Sequence, residues 1–362
     1  MGVWRGLSWH GPEVVQALRM TASSLTAFGL ASAFDLQQGF WAVITALIVV
    51  QGNVGGSLKV AFDRFAGSVC GAVYGGAVAF TIPHGGALSH AVALVVAVAP
   101  LSVLAASSAG FRVAPITAII VLLGTAGATL GPLGFALDRI LEVGLGCAVG
   151  LLASVLVVPA RASRSLLDAA ARVTRLLAQQ LEMLGQPAGH SPPDLGPLVV
   201  ATRKGLAKLE TLIGEAARER RSRLAHGADP APLLRTLLRL RHDVVMLRRT
   251  AGGAWHEAVR DQLAQPWADA AQAGARRLES LGEALAGERA PRLPDEVVET
   301  LGTYKAALDG VRRQGLTRSL PMDEVGRLFG IGFVLDQLRR DLDDLAERTT
   351  ELAAGRGPDL EG

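Results

Sequence analysis

Charge divides this chain into two blocks, and the first block leaves few ways to fold. Residues 1–160 hold six Lys or Arg and five Asp or Glu, whereas residues 161–362 hold thirty and twenty-eight. A stretch this long and this poor in charge has little with which to face water. The chain is therefore read as two domains, a transmembrane domain over 1–160 and a cytoplasmic helical domain over 161–362. Inside a bilayer only helices and closed barrels satisfy their own backbone. The apolar runs have helix length, so an all-α integral membrane fold is expected.

The runs lie at about 14–34, 38–53, 65–82, 87–106, 113–130 and 140–158, against the roughly 20 residues that a bilayer core requires. The second is the shortest in apolar content. No charge separates Asp35 from Lys59, so it is read as a span with a polar inner end formed by Gln51, Gly52 and Asn53. With six spans and a cytoplasmic N-terminus, Arg5, Arg19, Lys59, Arg64, Arg112, Arg161 and Arg164 fall inside and only Arg139 outside. That is the positive-inside pattern. It predicts a multi-pass protein of the inner or plasma membrane with both termini cytoplasmic.

The run DRFAGSVCGAVYGGAVAF at Asp63 has an echo 75 residues later, DRILEVGLGCAVGLLASVL at Asp138. The offset aligns Gly67, Gly71, Gly75 and Ala79 with Glu142, Gly146, Gly150 and Ser154. Steps of four keep these positions on one helix face, where small residues let helix backbones approach. VITALIVV at Val43 and PITAIIVL at Pro115 form a weaker echo. Three spans per copy means that the second copy enters the membrane upside down. This predicts two inverted three-helix repeats, with a site between them near the midplane.

The charged pairs are placed at helix ends, where Asp63 and Asp138 suit interface anchoring or a helix N-terminus. Arg64 and Arg139 are the candidate anion-binding residues, because a guanidinium clamps a carboxylate with two parallel bonds. Glu142 replaces a glycine of the first copy on the packed face. It is either a proton relay, together with Asp138 and Asp63, or the partner of Arg139 three residues before it. Trp41 is read as a belt aromatic that also joins the substrate-binding candidates. Gln51 and Asn53 line a cytoplasmic vestibule or cap a helix. Arg19 is expected to snorkel to the headgroups, Thr45 and Thr117 to bond to their own backbone, and His84 and His90 to lie in a solvated outer loop.

Composition also excludes. The net charge of +3 comes from many arginines offset by acids, so no basic stripe for nucleic acid is expected. Cys70 and Cys147 form neither a disulfide framework nor a metal motif. No nucleotide loop, metalloprotease motif or nucleophile elbow is present, so neither an enzyme nor a cofactor is expected. The start MGVWRGLSWHGPEVV lacks the pattern of a cleavable signal. After Pro159 the pattern becomes amphipathic, with helices read from Ser163 to Leu184 and at about Leu198–Arg223, Pro232–Thr250, Trp255–Ala286, Pro294–Arg313 and Asp323–Ala354.

In order, GFWAVITALIVVQGNVGGS, FDRFAGSVCGA, DRILEVGLGCAVGLLASVLVVP and a charged helical tail resemble the fusaric acid resistance protein-like family of aromatic acid exporters. Trp41 and Ala42 match the Trp-Ala pair that opens that family's second span. Arg64, Gly67, Ser68 and Gly71 match its Arg-x-x-Gly-Thr-x-x-Gly motif, with Ser68 in place of Thr. Arg139 and Glu142 match its later Arg-x-x-Glu. The resemblance covers about residues 10–185 and implies efflux of small organic anions, in particular aromatic carboxylic acids. Many members carry two membrane halves and this chain has one, so the resemblance also implies a homodimer or higher homo-oligomer. A passive anion channel of the same fold and a membrane-anchored helical scaffold or sensor are the alternatives.

Overall fold

The computed structural model describes residues 12–82, 86–124, 131–157, 162–186, 194–222, 228–251, 256–287 and 296–354. Arg5, His84 and Arg161 lie outside them. Among the described residues every regular element is a helix, and the chain forms two compact units, Met1–Ala162 and Ser163–Gly362.

Unit 1 contains α1 (Pro12–Ala33), α2 (Phe40–Val49), α3 (Val54–Thr81), α4 (Ala87–Ser107), α5 (Ala114–Gly124) and α6 (Pro132–Leu156), with a 3₁₀ turn at Ala109–Phe111 before α5. Its packing is the reverse of a water-soluble protein's. Ala27, Ala46, Ala72, Ala97, Ala118 and Ala136 are buried, while Phe28, Phe62, Phe80, Leu88, Val103 and Leu156 are each more than 60% exposed. Small residues inside let backbones touch, and large apolar groups outside suit a hydrocarbon surround. By length and composition α4 and α6 are long and apolar enough to cross a membrane. α2 has only 10 residues and rises about 15 Å, roughly half of a bilayer core. The apolar run at 38–53 is therefore helical only in its middle. α5 has 11 residues, and residues 125–130 of the run at 113–130 lie outside the described ones.

α3 and α6 cross antiparallel. Ser57 Oγ lies 2.9 Å from Ser154 Oγ, and the Cys147 thiol donates to Ala61 O at 3.5 Å. Further along, Ala72 packs on Ala136. The 75-residue offset turns the contact of Ala61 with Cys147 into that of Ala136 with Ala72. α2 runs along α6, and α5 along α3, over the glycine faces. A Cβ added at Gly146 would stand 2.5 Å from Ala42 O, and one at Gly150 2.8 Å from Ala46 O. On the other pair, a Cβ at Gly71 would stand 2.2 Å from Ala114 O, at Gly75 2.8 Å from Ala118 O, and at Gly67 2.9 Å from Gly110 O. Only glycine permits these approaches.

α1 closes one side of the unit. Gln16 Nε2 donates to Val50 O at 3.1 Å and Arg19 Nε to Val157 O at 2.8 Å, at the carboxyl ends of α2 and α6. Arg19 is 3% exposed. It caps α6 instead of snorkelling, because the end of a neighbouring helix offers free carbonyls closer than any headgroup.

Unit 2 contains α7 (Ala162–Leu184), α8 (Gly196–Arg221), α9 (Ala231–Ala251), α10 (Glu257–Ala286), α11 (Glu296–Arg313) and α12 (Met322–Ala354). Its interior is leucine-rich, with Leu237, Leu240, Leu263, Leu278 and Leu342 buried. α9 packs on α12, and α10 on α11. Two buried polar aromatics are satisfied, Tyr304 by Leu328 O at 3.0 Å and Trp267 by Leu184 O at 3.2 Å.

Candidate functional site

The chain enters α3 and α6 earlier than the apolar runs begin. Asn53 caps α3, its Oδ1 accepting the Gly56 N–H at 2.7 Å. GNVGGSLK has the composition of a loop, yet Gly55, Gly56 and Ser57 are buried on the packed face of the helix. α6 starts at Pro132, where proline's missing N–H costs nothing. Asp63 and Arg64, and Asp138 and Arg139, therefore lie well inside their helices. The expectation that both pairs stand at helix ends is corrected.

On α6, Arg139 and Glu142 are 3% and 2% exposed. Arg139 Nη1 is 3.5 Å from Glu142 Oε2, and the guanidinium carbon lies 3.9 Å from the centre of the Trp41 ring. Glu142 Oε1 accepts the backbone N–H of Gln38 at 2.9 Å, and the Trp41 indole N–H donates to Gln38 Oε1 at 3.2 Å. Arg139 Nε and Nη1 are buried without a hydrogen-bond partner from the protein. From α3, Arg64 Nε donates to Thr45 Oγ1 at 3.2 Å, one turn along α2 from Trp41. Arg64 is close enough to repel Arg139 electrostatically. The cluster thus sets two guanidiniums against the Glu142 carboxylate, with Asp138 near enough to act on it. Its planar donors and its indole suit a flat anion, which a guanidinium binds through two N–H groups.

The sequence candidates separate into those inside this cluster and those outside it. Trp41, Arg64, Arg139 and Glu142 come together. Asp138 is near enough to act on Glu142, and Asp63 pairs with Lys59 at 3.4 Å. Gln51 and Asn53 lie at the far end of α2, about 15 Å from Trp41. There Gln51 donates to Ile48 O at 2.7 Å, and its backbone N–H donates to Ser57 Oγ at 2.9 Å. Gly67, Gly71, Gly75, Gly146 and Gly150 are all buried at helix contacts. Thr45 Oγ1 accepts from Arg64 Nε, and Thr117 donates to Ser68 Oγ at 3.5 Å. His90 belongs to the first turn of α4, its Nδ1 2.9 Å from Gly86 O.

Gln38 was not among the candidates. Its link to Glu142 runs through a backbone N–H, which no side-chain pattern announces. The Gln-Gln-Gly-Phe-Trp string before α2 is the only hint of it. A hollow of about 450 Å³ lined by Asp168, Arg172, Arg175 and Gln179 lies in unit 2. Asp168, Arg172 and Gln179 are exposed there, and none of the cluster residues lines it.

Over 182 residues the chain is 28% identical to an uncharacterized membrane protein, YvaC, of Bacillus subtilis (strain 168). The aligned part is 49% of this chain and 28% of that protein, so the chain spans little more than a quarter of that relative's length. Residues 26–153, which carry Trp41, Arg64, Arg139, Glu142 and both glycine faces, match the model of the fusaric acid resistance protein-like family.

Proposed function

We propose that unit 1 is a six-helix membrane transporter built from two inverted triplets, α1–α3 and α4–α6, and that it exports small organic anions such as aromatic carboxylic acids. The observation that carries this reading is Arg139. It is a buried guanidinium about two turns inside an apolar helix, stacked on Trp41 and ion-paired with Glu142 at 3.5 Å, with Nε and Nη1 making no hydrogen bond within the protein. An ionisable group at such depth is expensive to insert and marks a solute path by default. The anion takes the open donors of Arg139 with help from Arg64. Glu142 is the internal counter-ion. When the anion arrives Glu142 must be displaced or protonated, and this couples export to protons. The antiparallel crossing of α3 and α6, with contacts that interconvert at the 75-residue offset, supports the inverted arrangement. The matched family supports transport.

The test is flux of 4-hydroxybenzoate in proteoliposomes with and without a pH gradient. A hydrogen bond to a charged group is worth about 1.5–3 kcal/mol. Arg139→Gln is therefore expected to reduce flux about ten- to a hundredfold. Glu142→Gln keeps downhill flux but loses its response to the pH gradient. Flux that never runs uphill in the wild type assigns a passive channel instead. Unchanged flux in Arg139→Gln removes the anion site.

A further inference from the structure

We propose that Gln38 is a positioning residue of the anion site, the link through which Trp41 and Glu142 hold Arg139 as one piece. This rests on the reading of unit 1 as an anion transporter. Arg139 has the Trp41 ring centre 3.9 Å from its guanidinium carbon and Glu142 Oε2 3.5 Å from its Nη1. Trp41 belongs to α2 and Glu142 to α6, and Gln38 bonds to both. Its Oε1 accepts the Trp41 indole N–H at 3.2 Å, and its backbone N–H donates to Glu142 Oε1 at 2.9 Å. An indole has a donor and no acceptor, so only the oxygen of the Gln38 amide can face it. That fixes the orientation of the amide and, through it, the tilt of the ring over Arg139. Glu142 spends one oxygen on each neighbour, Oε1 on Gln38 and Oε2 on Arg139. A carboxylate that turns away from Arg139 therefore pulls on the Gln38 backbone, and the same residue carries the pull to the ring.

The backbone around Gln38 is tied closely enough to transmit such a pull. Residues 34–39 form the turn between α1 and α2. Within it the Leu36 N–H returns to Ala31 O at 3.1 Å and the Gly39 N–H to Leu36 O at 3.3 Å, and the Trp41 N–H donates to Gln38 O at 2.9 Å. Asp35 takes a φ of 52°, a left-handed conformation that Asp adopts more readily than most residues. A Cβ added at Gly39 would stand 2.8 Å from Ala31 Cβ, so the turn lies directly on the end of α1. Gln38 is thus anchored to α1 on one side and to the first turn of α2 on the other.

The experiment joins a flux measurement to one that needs no substrate. Gln38→Met keeps the length of the side chain and the backbone N–H but removes the acceptor of the indole. In proteoliposomes, loss of this one neutral hydrogen bond is expected to raise the KM for 4-hydroxybenzoate about two- to tenfold with kcat nearly unchanged. In a Trp41→Phe background the same substitution has no further effect, because the donor is already gone. The second measurement uses the full chain in lipid nanodiscs with 15N-labelled tryptophan. The indole N–H resonance that Trp41→Phe removes is expected to exchange with deuterium about two- to tenfold faster in Gln38→Met. Glu142→Ala shifts that resonance, and the shift shrinks about twofold or more in the Gln38→Met background. The other tryptophan resonances, unmoved, show that the variants fold. An unchanged exchange rate, additive effects of Gln38→Met and Trp41→Phe on KM, or a Glu142→Ala shift of full size in Gln38→Met overturns the proposal. A wild type that carries no 4-hydroxybenzoate takes down the transport reading instead, and the two resonance measurements then decide the link by themselves.

Discussion

Arg139 is held by an indole face on one side and a single carboxylate on the other, and neither uses its full set of donors. The Arg-x-x-Glu spacing made the pairing with Glu142 legible, since residues three apart share a helix face. The stack on Trp41 was not legible, because almost a hundred residues separate the two and nothing local encodes their meeting. Asp243 on α9 was likewise invisible in sequence. It is 3% exposed, and its Oδ2 has no hydrogen-bond donor from the protein. It faces Asp341, which accepts from Arg239 Nε at 2.8 Å and Gln337 Nε2 at 3.2 Å. Burial first, and the Asp341 carboxylate second, push Asp243 up to about 8, with Arg239 and Arg340 pulling the other way. The folded chain thus keeps a proton that the unfolded chain releases above about pH 4. Stability falls as pH rises through about 4 to 8 and levels off beyond, by about 1.4 kcal/mol per pH unit at most. Asp243→Asn removes this slope. It is expected to melt above the wild type at pH 8, with the gap narrowing toward pH 5, in thermal unfolding of the full chain followed at both pH values.

Helices that touch through glycine tolerate no added carbon at the contact. Gly71→Ala puts a methyl against Ala114 O, where the ideal position is only 2.2 Å away. The helices must separate, and the cost is about 1–3 kcal/mol or more. Gly29 on α1 has nothing within 4 Å of that position, so Gly29→Ala leaves stability unchanged or raises it by less than about 1 kcal/mol. Melting of the two purified variants in one detergent, side by side, checks the difference. The same physics explains which elements were legible. The six helices of unit 2 repeat leucine and valine at intervals of three and four, and their bounds lie within a few residues of those read from the sequence. The start of α3 was missed because Gly55, Gly56 and Ser57 have turn chemistry when read locally. Their helical state depends on the Asn53 cap and on the partner Ser154, 97 residues beyond Ser57. The extent of α2 was overestimated for the opposite reason. Val50 continues the apolar run and no charge interrupts the sequence before Lys59, although the helix stops at Val49.

The six helices of unit 1 alternate in direction, since α2 runs with α6, α5 runs with α3, and α3 opposes α6. The proposed six-span arrangement puts the two ends of α4, which at 21 residues is about 31 Å long, on opposite faces of the bilayer. In a background without Cys70 and Cys147, a membrane-impermeant maleimide is expected to label Gly86→Cys from outside the cell and Ser108→Cys from inside, using right-side-out and inverted vesicles. Labelling of both from one side removes the six-span arrangement. The stretches on either side of α2 lack helical backbone, and protein meets them there: Glu142 takes the N–H of Gln38 at one end and Ser57 that of Gln51 at the other. A membrane voltage acts on such a short helix in an unequal way. If water fills the space beyond both of its ends, the electric field is compressed into about half the lipid thickness. A single charge passing α2 then feels most of the potential, about 2.3 kcal/mol per 100 mV, within one brief step of its journey.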